Sequence, residues 1–380
     1  MERVNVPEHG AGVPAGAVRG GEPVTAPPPL VSVSITAHNR PDDLRLTLRR
    51  LGEQTHRPLE VIVVDDASDV ELEPVVREEW PDAVYRRNPR NLGAHASRSW
   101  AMQHARGEYI LTLDDDSFPV DPHAVGHAVA RFEREPAVGV LAFQIHEGLE
   151  PPDPAVAPQP ERYVHTFINC GQMMRAETAR AVGGFRDFFV HYAEEGELAL
   201  RVLDHGWRIV LFPSVVHHRM SPIGRSNARI WAYIFRNTLW TAVLNFPFPR
   251  VLVELAWKLF VNGIEAVRIG QPRLAAWALG SFLRGLPRAL RLRRPMSREA
   301  LRVYDVVRFR EVATAEELGR ARPPTVRERL HWLREVWLRR PRARPFWDRR
   351  PGRLGRSAYV VSDAEAAAGG RARRNPGTGS

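Results

Sequence analysis

Three short apolar runs, each closing on polar residues, constrain this chain more than any other feature. Val31–Thr36 is a β-branched run, Leu59–Asp65 reads LEVIVVD, and Tyr109–Leu113 is the third. A continuous apolar run is what a strand needs when both of its faces are covered. Helical patterns lie among them: after Pro41, where proline suits a first turn, over roughly Glu71–Trp80, and over Ala94–Arg106. Strands alternating with helices predict right-handed crossovers and a mostly parallel α/β sheet. Ligands of such sheets bind beyond the carboxyl ends of the strands. The residues that close the runs therefore matter most. They are Thr36-Ala37-His38-Asn39, Asp65-Asp66-Ala67-Ser68 and Asp114-Asp115-Asp116-Ser117, which places two acidic clusters at one sheet edge.

With 380 residues the chain has room for such a domain plus an appendage. A Gly/Ala/Pro-rich stretch at 1–28 reads as a disordered leader, 29–225 as the α/β domain, and 226–295 as helical, broken at Pro247, Pro249, Pro272 and Pro287. An arginine-rich extension at 296–350 and a disordered tail at 351–380 complete the division. Net charge is +10, but of the 54 basic residues only Lys258 is a lysine. That skew is a signature of coding bias, so the charge gives no warrant for a nucleic-acid partner. Cys170 is the only cysteine, which excludes disulfides within the chain and zinc sites built on paired thiolates. No signal-peptide pattern and no spanning apolar run is present, so a cytoplasmic location is expected.

Asp114 and Asp116 lie two apart on an extended segment and would face one site. They either cap the next helix or hold a hard divalent cation, Mg²⁺ or Mn²⁺. Asp65 and Asp66 either cap a helix or accept a hydrogen bond from a nucleobase. Glu194, Glu195 and Glu197 open a helix running to Asp204, where the helix dipole favours them. One of them could equally serve as general base. His217 and His218 follow a strand-like Arg208–Phe212, and one of them could complete a metal's coordination. Cys170 has no activating partner in sequence and reads as a small buried residue. Glycine-loop phosphate cradles are absent. A diphosphate held at an acidic edge therefore needs a cation between the two.

Taken in order, these segments resemble the inverting glycosyltransferases of family 2 from about Leu30 to Ser221. The stretches are VSVSITAHNR at 31–40, QTHRPLEVIVVDDAS at 54–68, RNLGAHASR at 90–98, ARGEYILTLDDDS at 105–117, CGQMMRAETARAVGGF at 170–185 and EEGELALR at 194–201. The resemblance implies a mostly parallel, Rossmann-like sheet of the A-type glycosyltransferase fold with a C-terminal helical region. It assigns Thr36, Asn39, Asp65, Asp66, Arg98, Asp114, Asp115 and Gly171 to the donor, a UDP-, GDP- or dTDP-sugar. Metal binding falls to Asp114, Asp116 and His218, the catalytic base to Glu195, and the acceptor side to Glu194 and Glu197. The pattern departs at Glu195 and Glu197, where aspartate is commoner, and at Ser99, where asparagine is common. A hydroxyl acceptor is implied. The rival classes are a nucleotidyltransferase and a non-catalytic nucleotide-sugar-binding protein.

The region 250–291 sets Glu254, Lys258 and Glu265 among Val, Leu, Trp and Phe, and six arginines follow between Arg284 and Arg298. Such helices either pack on the domain, form a homodimer, or lie on the inner face of the cell membrane beside a lipid-linked acceptor.

Overall fold

The computed structural model describes residues 27–154, 156–190, 192–220 and 227–334, together with Val360–Val361. The expected leader up to residue 26 and most of the expected tail lie outside the described residues.

The predicted alternation is present. It runs β1 (Val31–Ala37), α1 (Pro41–Gly52), β2 (Leu59–Asp65), α2 (Glu73–Glu79), β3 (Val84–Arg87), α3 (Ala94–His104) and β4 (Tyr109–Asp114). There follow β5 (Ser117–Pro119), α4 (Ala124–Arg134), β6 (Val138–Glu147), β7 (Arg162–Tyr163), β8 (Gln172–Arg175), α5 (Ala176–Val182), α6 (Glu194–Asp204) and β9 (Arg208–His218). Among the described residues the sheet runs β3-β2-β1-β4-β8-β6-β9-β5. β1 pairs in parallel with β2 and β4, and β2 with β3, whereas β8 enters antiparallel between β4 and β6. All seven residues of β1 are buried, its β-branched residues alternating with the small Ser32 and Ser34. The pairing is in register at the carboxyl edge: Ala37 lies opposite Asp65, and Thr36 opposite Asp114. Both acidic clusters therefore sit at one edge of the sheet.

Two expectations need correction. β9 does not stop at Phe212 but runs through His218. Pro213 breaks the apolar pattern without ending the strand, because the pairing with β6 shifts there. Phe143 pairs with Phe212 and Gln144 with Val215, so Pro213 and Ser214 bulge out of the ladder. Pro287 does not break its helix either. It lies inside α9 (Pro272–Arg291), with its ring at an exposed position.

α7 (Asn227–Asn245), α8 (Arg250–Arg268) and α9 form a helical layer around Trp231, Phe235 and Leu239. α10 (Arg298–Phe309), α11 (Ala315–Arg320) and α12 (Val326–Arg334) then return to the sheet domain. Ser297 N–H donates to Asp204 at the end of α6 (2.7 Å), and Tyr163 N–H donates to the Val312 carbonyl (2.8 Å). The last strand, β10 (Val360–Val361), pairs in parallel with β6.

Candidate active site

The loop after β1 is tied to the end of β4 by charge. Asp115, buried, accepts from the backbone N–H of His38 (3.0 Å) and from Arg40 (2.8 Å). Burial drives its pKa up to about 7 against the pull of Arg40. Asn39 adopts a left-handed conformation (φ 59°). Its N–H donates to Ser68 Oγ (2.9 Å), and its side chain exchanges two hydrogen bonds with Asp69. Thr36, opposite Asp114 in the sheet, buries a hydroxyl that has no hydrogen-bond partner among the described residues.

Asp65 and Asp66 brace loops. Asp65 accepts from Ser68 N–H (2.8 Å), Ser68 Oγ (2.6 Å) and the Tyr85 hydroxyl (2.9 Å). Asp66 accepts from Asn88 Nδ2 (2.8 Å) and from the backbone N–H groups of Leu92 (2.8 Å) and Gly93 (2.9 Å). Asp66 thus fixes the approach to α3, and Asp65 the loop after β2.

From α3, buried Arg98 reaches two carboxylates. One guanidinium nitrogen bonds Asp114 and the other lies 3.3 Å from Glu194. Glu194 also accepts from Asn169 Nδ2 (2.7 Å) and lies 3.0 Å from His95 Nε2. Burial holds His95 neutral, its pKa pushed down to about 3 with help from Arg98. Arg98 thereby joins the end of β4 to the first turn of α6.

The three glutamates of that turn have different surroundings. Glu197 is buried and held by Arg186 (2.7 Å) and Arg201 (2.7 Å), and Arg201 also bonds the Gly184 carbonyl. The two arginines outweigh burial and keep its pKa low. Glu194 is encased as described. Glu195 is half-buried and has no ion-pair partner among the described residues. Loss of water and the charge of Glu194 push its pKa up to about 8. The backbone leading into this turn is strained: Val190, Tyr192 and Ala193 all have positive φ. α7 holds it, with Arg236 bonded to the Phe189 carbonyl (2.6 Å) and Asn237 Nδ2 to the Tyr192 carbonyl (2.7 Å). Sequence reasoning gave α7 no part in the site.

Ligand atoms of Asp114, Cys170 and His218 lie within 4.8 Å of one another. Asp116, fully buried, does not complete that group; it lies 3.3 Å from His218 Nε2 and 3.3 Å from Arg40. A carboxylate, an imidazole and a sulfur form a donor set that fits a divalent cation of intermediate softness. A carboxylate beside the histidine is the usual support of such a ligand. Cys170 is buried, as its sequence context suggested, and it lies within this group. The turn before β8 carries it to where β4 and β9 end. Gly171, beside it, packs against Ile145 and Val216. A Cβ there would come within 2.5 Å of Ile145 Cδ1 and 3.1 Å of Val216 Cβ, so a larger residue would have to displace these side chains.

Residues 32–194 match the model of glycosyl transferase family 2. The hyaluronan synthase of Pasteurella multocida is 39% identical over 93 residues, which are 23% of this chain and 10% of that protein. The UDP-Glc:alpha-D-GlcNAc-diphosphoundecaprenol beta-1,3-glucosyltransferase WfaP of Escherichia coli is 30% identical over 90 residues, 23% of this chain and 36% of that protein. The matches thus span about a tenth of the first relative and about a third of the second. Residues 1–349 of Staphylococcus aureus TarS superpose with a TM-score of 0.51 at 18% identity, covering 69% of this chain and 83% of that one. At that identity the likeness speaks for the fold, which is the expected A-type fold.

Proposed function

Residues 32–194 are a glycosyl transferase family 2 domain, and from that premise we propose that the chain moves a glycosyl group from a nucleoside-diphosphate sugar to an acceptor hydroxyl, with inversion. The observation that carries this reading is Arg98. One guanidinium spans Asp114, at the cation-ligand group, and Glu194, beside the only glutamate of its turn without a cation partner among the described residues. Arg98 thus ties the candidate ligand group to the turn that carries Glu195.

Asp114, His218 and Cys170 would hold the cation, with Asp116 orienting His218. When bound, it would neutralise the diphosphate and help it depart as a Lewis acid does. Glu195 takes the proton of the acceptor hydroxyl as the oxygen bonds to the anomeric carbon. The bond from that carbon to the diphosphate oxygen breaks, and the nucleoside diphosphate leaves with its electron pair. Thr36 offers its buried, unpartnered hydroxyl to the donor. Burial raises the pKa of Glu194, and Arg98 pulls against that rise. The E. coli relative, named for a UDP-Glc donor and a diphosphoundecaprenol-linked acceptor, supports a nucleotide-sugar donor and a lipid-linked acceptor here.

A screen of UDP-, GDP- and dTDP-sugars for release of nucleoside diphosphate tests the reading. Release from at least one donor, dependent on a divalent cation such as Mn²⁺ and abolished by chelator, is expected. Absence of release from every donor, with cation and a range of hydroxyl acceptors, contradicts it.

The sulfur of Cys170 has its own readout. Loading with Co²⁺ should give a sulfur-to-cobalt charge-transfer band in the near ultraviolet, lost in Cys170→Ser. The same variant should bind Cd²⁺ about tenfold or more weakly, since a soft ligand selects a soft metal.

A further inference from the structure

α8 is built inside out. Its buried positions include Glu254, Asn262 and Glu265. Glu254 is bonded to Arg250 (2.8 Å) and lies 3.5 Å from Arg308 of α10. Its exposed large apolar residues are Leu252, Val253, Leu259, Phe260, Ile264 and Val267. Leu252 and Leu259, like Val253 and Phe260, lie seven apart, and Ile264 and Val267 follow at four and three, so these fall on one stripe. Val267 is 82% exposed and Phe260 60%, and Phe248, just ahead of the helix, is 72% exposed. Scattered exposed apolar side chains are ordinary, but a continuous stripe along a helix about 28 Å long is not.

The surroundings of this stripe favour one occupant. From Ala266 to Arg298 the sequence holds eight arginines and no acidic residue. Arg268, Arg273, Arg284, Arg288, Arg291 and Arg294 are all exposed. On α9 they alternate with exposed Leu283 and Leu290. A second copy docked by symmetry would bring two such fringes together with no carboxylates between them. A phosphate-bearing lipid surface offers both the apolar boundary and the opposite charge. No helix among the described residues is long and apolar enough to cross a membrane.

We propose that α8 lies in the plane of an anionic lipid surface, its apolar stripe at the acyl boundary and the α9 arginines among the phosphates. The inference stands on the face itself. Joined to the transferase reading, it names the acceptor's setting, because α7 packs against α8 and also holds the strained turn ahead of Glu195. A lipid-linked hydroxyl would then meet the base at the surface where the enzyme rests.

The test is sedimentation of the full chain with vesicles of phosphatidylcholine, alone or mixed with phosphatidylglycerol. Wild-type protein should pellet with the anionic vesicles, and less so as salt rises, since charges are screened beyond about 10 Å at 0.1 M. The double variant Phe260→Gln/Ile264→Gln should partition about tenfold or more weakly while melting like wild type. Arg284→Ser/Arg291→Ser should lose the preference for anionic vesicles; Arg288 is spared because it stacks on Phe188. Wild-type protein left in the supernatant with both vesicle types overturns the proposal. So does a Phe260/Ile264 variant that binds as well as wild type. A wild-type dimer that this variant converts to monomer, with vesicle binding unchanged, would make the stripe a self-contact instead. Nucleoside-diphosphate release measured on the same preparations separates this result from the transferase reading.

Discussion

Glu195→Gln should lower turnover by about a hundredfold or more while leaving cation-dependent binding of nucleoside diphosphate intact. The amide keeps the shape of the protonated carboxyl but cannot accept the acceptor's proton. Because burial and Glu194 push the Glu195 pKa up to about 8, the sign of the pH dependence follows. The base works only when ionised, so kcat/KM should rise with pH through about 8 and fall as the medium is acidified below it. That limb should be missing from the residual activity of the glutamine variant. Stability runs the other way. The folded chain holds a proton here that the unfolded chain releases at an ordinary carboxyl pKa, so raising the pH through this window costs stability. The variant, unable to ionise, should resist alkaline unfolding better than wild type. Rate profiles and melting curves on the two proteins check both signs. Should Glu197→Gln lose that rising limb instead, with Glu195→Gln active, the base is misassigned.

Asp114→Asn should weaken Mn²⁺-dependent binding of nucleoside diphosphate by about a hundredfold or more, because a charged ligand is lost outright where even a supporting residue is worth tens-fold. Turnover should fall with it. Asp114 is part-exposed at the end of β4, so the fold should survive. Its loss also frees Arg98 from one of two carboxylates, and Glu194 remains to hold the guanidinium. Calorimetric titration with nucleoside diphosphate, with Mn²⁺ and with chelator, separates the effects. The variant should bind equally poorly in both, and an undiminished response to Mn²⁺ would remove Asp114 from the ligand group.

Much of the fold was legible because buried parallel strands write themselves as unbroken apolar runs. LEVIVVD becomes β2 residue for residue, and the glutamate-led helix runs from Glu194 to Asp204 as read. The shared acidic edge followed from topology alone. What stayed hidden depends on contacts between distant segments. Cys170 sits near Asp114 and His218 only because three separate elements end at one place, and no local spacing announces that. Pro213 disguised the length of β9, since a bulge absorbs what a regular ladder would reject. Asp65 and Asp66 were open to a helix cap or a nucleobase, and their hydrogen bonds within the chain go to Ser68, Tyr85, Asn88 and the Leu92–Gly93 backbone. A sequence shows an acid's position, not which amides reach it first. In α8 the apolar positions were visible, but which face turned outward was settled only by the buried ion pairs of Glu254.

The most direct test is proton NMR of a reaction containing the donor that the screen selects, followed through turnover. The account predicts that the donor's anomeric signal decays only with a divalent cation present, and that the product appears first in the opposite anomeric configuration. Product of the same configuration, or turnover undiminished by chelator, would contradict it.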